Sequence, residues 1–175
     1  HLARKRVAER LGKDPDSITI TSDITGLIAS GIDVAFVTSP DDTHAEITCQ
    51  LLEAGIPVYL EKPLAITVTS ATRVLTTAFE TGTKLYVGHN MRHMNVVRSM
   101  RDLIRTGRIG EVKAIWCRHF VGSGGDFYFK DWHATREHGT GLLLQKAAHD
   151  IDVMHWFADS HTTDVVGMGG LTLYD

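Results

Sequence analysis

Much that would place a protein quickly is missing from this chain of 175 residues. No apolar run is long enough to cross a bilayer, which argues against a membrane protein. Basic residues are not in excess: the formal net charge is -3, so the footprint of a nucleic-acid binder is lacking. Only two cysteines occur, Cys49 in a predicted helix and Cys117 in a predicted strand. They read as buried thiols of a reducing compartment, not as a disulfide or a metal knuckle. Neither H-E-x-x-H nor C-x-x-C is present, and His149 and His155 are wrongly spaced for one metal on a helix. The ten histidines therefore do not predict a metal site. Repeats and low-complexity stretches are also wanting. The chain starts at His1, which leaves a targeting segment before it open, and cytoplasm is the expected location.

What is present is ordinary globular composition, 43% hydrophobic and 22% charged, in a length that suits one large or two small domains. Residues 2–11 put Leu2, Ala3, Val7 and Leu11 on one helical stripe, closed by Gly12. A short strand is predicted at "SITIT", then a helix from Ile24 to Ser30. "DVAFVTSP" is continuously apolar before its turn, as a parallel strand covered on both faces should be. Thr38 to Asp42 supplies a turn and cap signal for a helix from Thr43 to Ala54. "PVYL", a helix over Ser70 to Thr81 and "KLYVG" repeat the unit. Strands alternating with helices across short Gly-marked connections predict βαβ units in a Rossmann-type parallel sheet.

After Gly88 the rhythm changes. A helix is predicted from Val96 to Thr106, then a strand "VKAIWCRHFV" with partial alternation, a Gly- and aromatic-rich loop over 122–141, a helix from Leu142 to Phe157 and a last strand near Val165 to Leu173. This divides the chain into a partial nucleotide-binding domain, 1–90, and a partial α/β domain with an open mixed or antiparallel sheet, 91–175. A nucleotide-binding sheet should open with strand, G-x-G-x-x-G turn and helix. That motif is absent and the chain begins inside a helix, so it reads as a fragment cut at both ends.

Ligands of open α/β sheets bind beyond the carboxyl ends of the strands. Here those ends are "TSPDDTH", "EKPLA" and "GHNMRH". Two readings of Glu61-Lys62-Pro63 stand side by side: a salt-bridged strand end with a turn-forming proline, or charges placed for use. Further on, Gln145, His149 and Asp152 fall four and three residues apart and share one helical face. Lys146 either joins that site or pairs with Asp150 one turn on. In the loop, Lys130, Trp132, His133 and Arg136 offer an aromatic face and donors suited to a sugar, or form an ordinary surface loop.

"VAFVTSPDDTHAEITCQLLEAGIPVYLEKPLA", "GHNMR", "LIRTGRIGEVKAI" and "GTGLLLQKAAHDIDVMHW" together resemble, in order and over nearly the whole chain, the Gfo/Idh/MocA oxidoreductases. The resemblance implies a dehydrogenase that uses NAD or NADP to oxidise or reduce a hydroxyl or carbonyl of a sugar, cyclitol or glycoside. It implies cofactor contacts at Thr38, Pro40, His44, Glu61, Lys62, Pro63 and Asn90, with a cis Lys62–Pro63 bond. Lys62 and His149 match the catalytic residues of the family; Trp132, His133 and Arg136 of the loop, with Gln145 and Lys146, are the candidate substrate contacts on their own chemistry. Homo-oligomers, dimers or tetramers, through the C-terminal sheet are also implied. The family pattern usually has an aspartate where this chain has Gln145, which puts an Asp–His dyad in doubt. A redox-neutral glycosidase or lyase that retains its NAD, and a non-catalytic nucleotide-binding regulator, are the alternatives.

Histidine suits the proton transfer because its ordinary pKa lies near neutrality. A lysine ammonium beside the same oxygen would stabilise the developing alkoxide. Proline after Lys62 restricts that residue to extended backbone, which aims its side chain.

Overall fold

The computed structural model describes residues 2–120 and 122–170. Its N-terminal part runs α1 (Leu2–Leu11), α2 (Ile24–Ala29), β1 (Ala35–Val37), α3 (His44–Glu53), β2 (Val58–Leu60), α4 (Val68–Thr81) and β3 (Leu85–Val87). The three strands pair in parallel in the order β1-β2-β3, with Val37, Leu60 and Val87 in register at their carboxyl ends. Two helix starts have a side-chain cap: the Asp23 carboxylate caps α2 at the Gly26 N–H, and the Thr67 hydroxyl caps α4 at the Ser70 N–H. α3 is entered through a 3-10 turn over Asp41–Thr43.

The core sits on one face of this sheet. Ala35, Val37, Val58 and Leu60 pack against Ala45, Cys49, Leu51 and Leu52 of α3 and Val74 of α4. The opposite face is bare: Phe36, Tyr59 and Tyr86 stack in a row, ring centroids 5.3 and 5.2 Å apart, and Phe36 is 69% exposed. Coverage of β1 on both faces, expected from its apolar run, is thus met on one face among the described residues.

The C-terminal part continues with α5 (Asn95–Arg105), α6 (Gly125–Lys130) and α7 (Ala148–Ala158). Its buried apolar cluster is small: Val97 of α5 against Val153 and Phe157 of α7. Around it, Arg92 forks onto Asp152 (2.7 and 2.6 Å), and Arg92 and Arg101 both lie against Trp156.

Three predicted strands differ. "SITIT" is a 3-10 turn over Pro15–Ser17 followed by irregular backbone. Asp14 caps that turn and the Ile18 N–H donates to Pro15, which takes a backbone donor that a ladder would need. Residues 112–120 are irregular and mostly exposed, and 165–170 likewise; neither pairs with a strand among the described residues. A strand is a property of a pair, and propensity without a neighbour does not make one. Val121 and residues 171–173 of those predictions lie outside the described residues. Cys117, on the first of these segments, is exposed rather than buried; Cys49 is buried as expected. The loop over 122–141 holds α6 and a 3-10 turn at Trp132–Ala134.

Candidate functional site

Three parallel strands end side by side, so the turns that leave them line one crevice. After β1 come Thr38 and Pro40, both exposed, and the buried Asp41. After β2 come Glu61 and Lys62, half-buried, then Pro63 in a cis peptide bond. After β3 the backbone of Gly88 approaches β2 closely. Its N–H donates to Leu60 at 2.7 Å, and a β-carbon there would stand 2.9 Å from the Tyr59 hydroxyl, so any larger residue would push the Tyr59 ring aside. His89 and the exposed Asn90 come next.

Glu61 and Lys62 do not pair with each other. The Glu61 carboxylate accepts the Lys62 main-chain N–H at 3.1 Å. The Lys62 ammonium reaches across the sequence and donates to the main-chain oxygen of Gln145, also at 3.1 Å. That contact joins the strand end to the segment leading into α7. Among the described residues neither side chain forms the salt bridge of the first reading.

His44 is fully buried, with Nδ1 2.7 Å from the Pro63 carbonyl and Nε2 3.0 Å from that of Ser39. Both nitrogens lie against backbone carbonyls and the nitrogen that carries the proton donates, so this residue packs the end of β1 against the turn after β2.

The helix expected from Leu142 is not α-helical at its start. Residues Leu143–Ala147 form a π turn, and α7 begins at Ala148. A π turn widens the spiral and breaks the four-residue register, and such turns are frequent at functional sites. Gln145 lies within that turn and bonds Asp41 rather than His149. Its side chain is 2% exposed and its Nε2 donates to the carboxylate of Asp41, while its carbonyl receives Lys62. Sharing one face holds for His149 and Asp152 and fails for Gln145. Lys146 does not pair with Asp150: that carboxylate holds His119 at 2.8 Å, and the Lys146 ammonium lies over the Tyr128 ring, 4.5 Å from its centroid.

His149 meets His89 edge to face, centroids 6.2 Å apart, and the Nδ1 atom of each is buried without a hydrogen bond among the described residues. Asp152 lies 3.8 Å from His89 Nδ1, too far to bond it, because Arg92 holds both its oxygens. Burial, then the charges of Lys62, His89 and Lys146, push the His149 pKa below its ordinary value, with only Asp150 opposing. Burial likewise lowers His89. Asp41 is raised by burial, against the pull of His44, Lys62, His133 and Gln145. The site thus holds a neutral imidazole beside an ammonium.

The loop packs over the same crevice. Trp132 stacks on His133 at 3.6 Å, Tyr128 meets His133 edge-on, and His138 bonds Asp42 at 3.0 Å. His133 is held by Asp131, Lys130 pairs with Asp126, and Arg136 is exposed. Residues 130 and 136 are thus not drawn into the site, whereas 132, 133, 145, 146 and 149 are. Sequence reasoning missed Asp41, His89 and the Asp152–Arg92 pair. The adjacent acids of "PDDTH" were a visible signal, but they read as capping residues.

A cavity of about 560 Å³ lies against β1, lined among others by Ile24, Leu27, Ala35, Val37, Ile47, Thr38 and Ser39; of the expected cofactor contacts it takes in Thr38.

Residues 3–89 match the family model described as oxidoreductase family, NAD-binding Rossmann fold, and residues 97–175 match the GFO/IDH/MocA C-terminal domain. The chain is 30% identical over 153 residues to 1,5-anhydro-D-fructose reductase of Ensifer adhaerens, covering 87% of this chain and 45% of the relative. It is 29% identical over 163 residues to myo-inositol dehydrogenase Hyg17 of Streptomyces leeuwenhoekii, covering 93% and 48%. The chain thus spans less than half the length of these relatives. Among solved structures, an inositol dehydrogenase homolog complexed with NAD+ from Azotobacter vinelandii superposes with a TM-score of 0.71 at 22% identity, over 87% of this chain and 42% of that one. This likeness shows the fold.

Proposed function

The chain belongs to the GFO/IDH/MocA oxidoreductase family, and we propose that it forms the catalytic crevice of an NAD(P)-dependent dehydrogenase acting on a hydroxyl of a sugar or cyclitol. One observation carries this reading: the Lys62 ammonium is delivered to the Gln145 carbonyl, one turn before a neutral, half-buried His149. A nicotinamide nucleotide, held along Thr38, Pro40, Glu61, Lys62, Pro63 and Asn90, supplies the hydride acceptor. The imidazole of His149 takes the hydroxyl proton as the substrate carbon gives up hydride. Lys62 has three N–H donors and spends one on Gln145, which leaves two for the reacting oxygen as it gains negative charge. Trp132 and His133 offer a stacked face for a sugar ring. The domain boundary falls near Asn90. The extended segments 112–120 and 165–170 belong to an open sheet through which copies of the chain associate, and the protein works in the cytoplasm.

The test uses the intact protein with NAD+ or NADP+ and either myo-inositol or D-glucose, following nicotinamide reduction by absorbance and cofactor binding by calorimetry. Cofactor binding with net reduction on one of these polyols is expected. Failure to bind either nucleotide would sink the reading.

A further inference from the structure

Asp41 is a buried acid that the proton and hydride chemistry above leaves without a task. It stands at the turn after β1, 4% exposed, and its carboxyl group takes the Gln145 amide. Gln145 is thus gripped at two points. Its side chain ends on Asp41, and its main-chain carbonyl receives the Lys62 ammonium at 3.1 Å. The loop closes the space around the amide: a β-carbon on Gly139 would stand 3.2 Å from the Gln145 side-chain nitrogen and 3.3 Å from the His133 carbonyl. Asp42, the next residue of the turn, holds His138 of that loop at 3.0 Å. The amide is shut away from water, and without Asp41 it would be a buried donor lacking that acceptor. Relief would come from movement of the side chain and of the backbone that carries it, and that backbone holds the carbonyl on which Lys62 rests.

Resting on the dehydrogenase reading above, we propose that Asp41 is a positioning residue for Lys62: by holding the Gln145 amide it fixes the carbonyl that receives the ammonium, and so keeps the ammonium at the reacting hydroxyl. The lysine is aimed from the ends of two neighbouring strands through one residue of the far half of the chain. The role needs an oxygen that accepts an N–H, not a charge. Burial favours the neutral form of Asp41, and a carboxylic acid or an amide still offers a carbonyl oxygen. Asp41→Asn should therefore preserve the arrangement, and Asp41→Ala should not.

The experiment reads the Lys62 amine directly, in the intact protein without cofactor, as the rate of trace acetylation by acetic anhydride followed by peptide mass spectrometry. A hydrogen-bonded ammonium reacts slowly. Asp41→Ala should speed acetylation of Lys62 by about threefold or more, the scale of one lost hydrogen bond. The exposed Lys84 should react as in wild type, and the α3 amides should stay as protected from hydrogen exchange. Asp41→Asn should leave Lys62 at the wild-type rate. Gln145→Met cuts the same link from the other side, so it should match Asp41→Ala, and the double variant should be no faster than either. Gln145→Met also decides the question if Asp41→Ala does not fold. An unchanged Lys62 rate in Asp41→Ala and Gln145→Met, a rise in Asp41→Asn equal to that in Asp41→Ala, or additive rises in the double variant would each overturn the proposal. A wild type that binds neither NAD+ nor NADP+ would instead fail the dehydrogenase reading, and the labelling would still decide whether Asp41 holds Lys62.

Discussion

The two halves of this chain bury their apolar residues to different extents. Between Ile24 and Val87 the sheet buries Leu51, Leu52, Leu60 and Val74 to 1% exposure or less against two helices. Past residue 110, Trp116, Phe120, Val165, Val166 and Met168 are each more than 80% exposed. Composition does not explain the contrast, because both halves carry β-branched and aromatic runs. Connection does. A βαβ unit brings its own partner strand within a few dozen residues, with a helix to cover the face between. A lone extended segment such as 112–120 must find its partner elsewhere, and until it does its backbone groups belong to solvent. The lesson is that local sequence secures a unit only when that unit closes on itself.

The largest expected effect tests the self-contained half. Leu60→Ala removes a side chain at the heart of the α3–sheet contact and should lower unfolding free energy by about 2–5 kcal/mol in a denaturant titration. Hydrogen exchange gives the other side of the comparison: in the 175-residue chain, amides of α3, β1 and β2 should be protected and those of 112–120 should exchange at once. Protection across 112–120 would reveal a ladder that the described residues lack.

Next in size is the link between the halves. Lys62→Met in the intact protein should leave the fold in place and lower kcat by roughly 10²–10³, the scale of losing a preorganised donor to a developing oxyanion. Nucleotide affinity should change much less. A near-normal kcat would make the Lys62–Gln145 contact a structural tie only.

The C-terminal half adds a polar clamp to its small apolar cluster. Asp152→Asn removes the charge from the fork with Arg92, and bonds to charged groups contribute about 1.5–3 kcal/mol. The Arg92 side chain is 41% exposed, so the lower end is expected. The same change removes the charge that holds up the pKa of His89, which should fall further and can be tracked by NMR titration.

How much was legible obeys the same divide. The parallel strands, α3, α4 and α5 and the placement of Lys62 at a strand end could be read from apolar runs, glycine stops and the Lys-Pro pair. The three unpaired segments could not, because pairing is decided at a distance. In the site, Lys62, His149, Trp132 and His133 were visible as residue types in the right segments. Asp41 was not, because a buried acid that serves a glutamine more than a hundred residues away leaves only a cap-like pattern locally. The π turn was invisible too: an ideal helical repeat through residues 142–157 put Gln145 over His149, and one widened turn cancels that register.

That turn sets the smallest and most discriminating prediction, Gln145→Asp. On an unbroken α-helix the new carboxylate would sit by His149, raise its pKa and move the acid limb of the kcat/KM profile to higher pH. With the π turn the carboxylate faces Asp41 instead. Burial already raises Asp41, and a like charge beside it raises the pair further. An acid whose folded pKa lies above its unfolded value of ~3.9 stabilises the fold only at low pH, and that contribution is lost as pH rises through the folded value. The variant should therefore melt near wild type in acid and fall progressively below it toward neutral pH. Wild type should show the same slope more weakly. The acid limb should stay where it is in wild type, below the ordinary histidine value of ~6.5, because burial, Lys62, His89 and Lys146 still surround His149. A limb displaced to higher pH, with a melting temperature no more pH-dependent than wild type, would place residue 145 over His149 and remove the π turn from the mechanism.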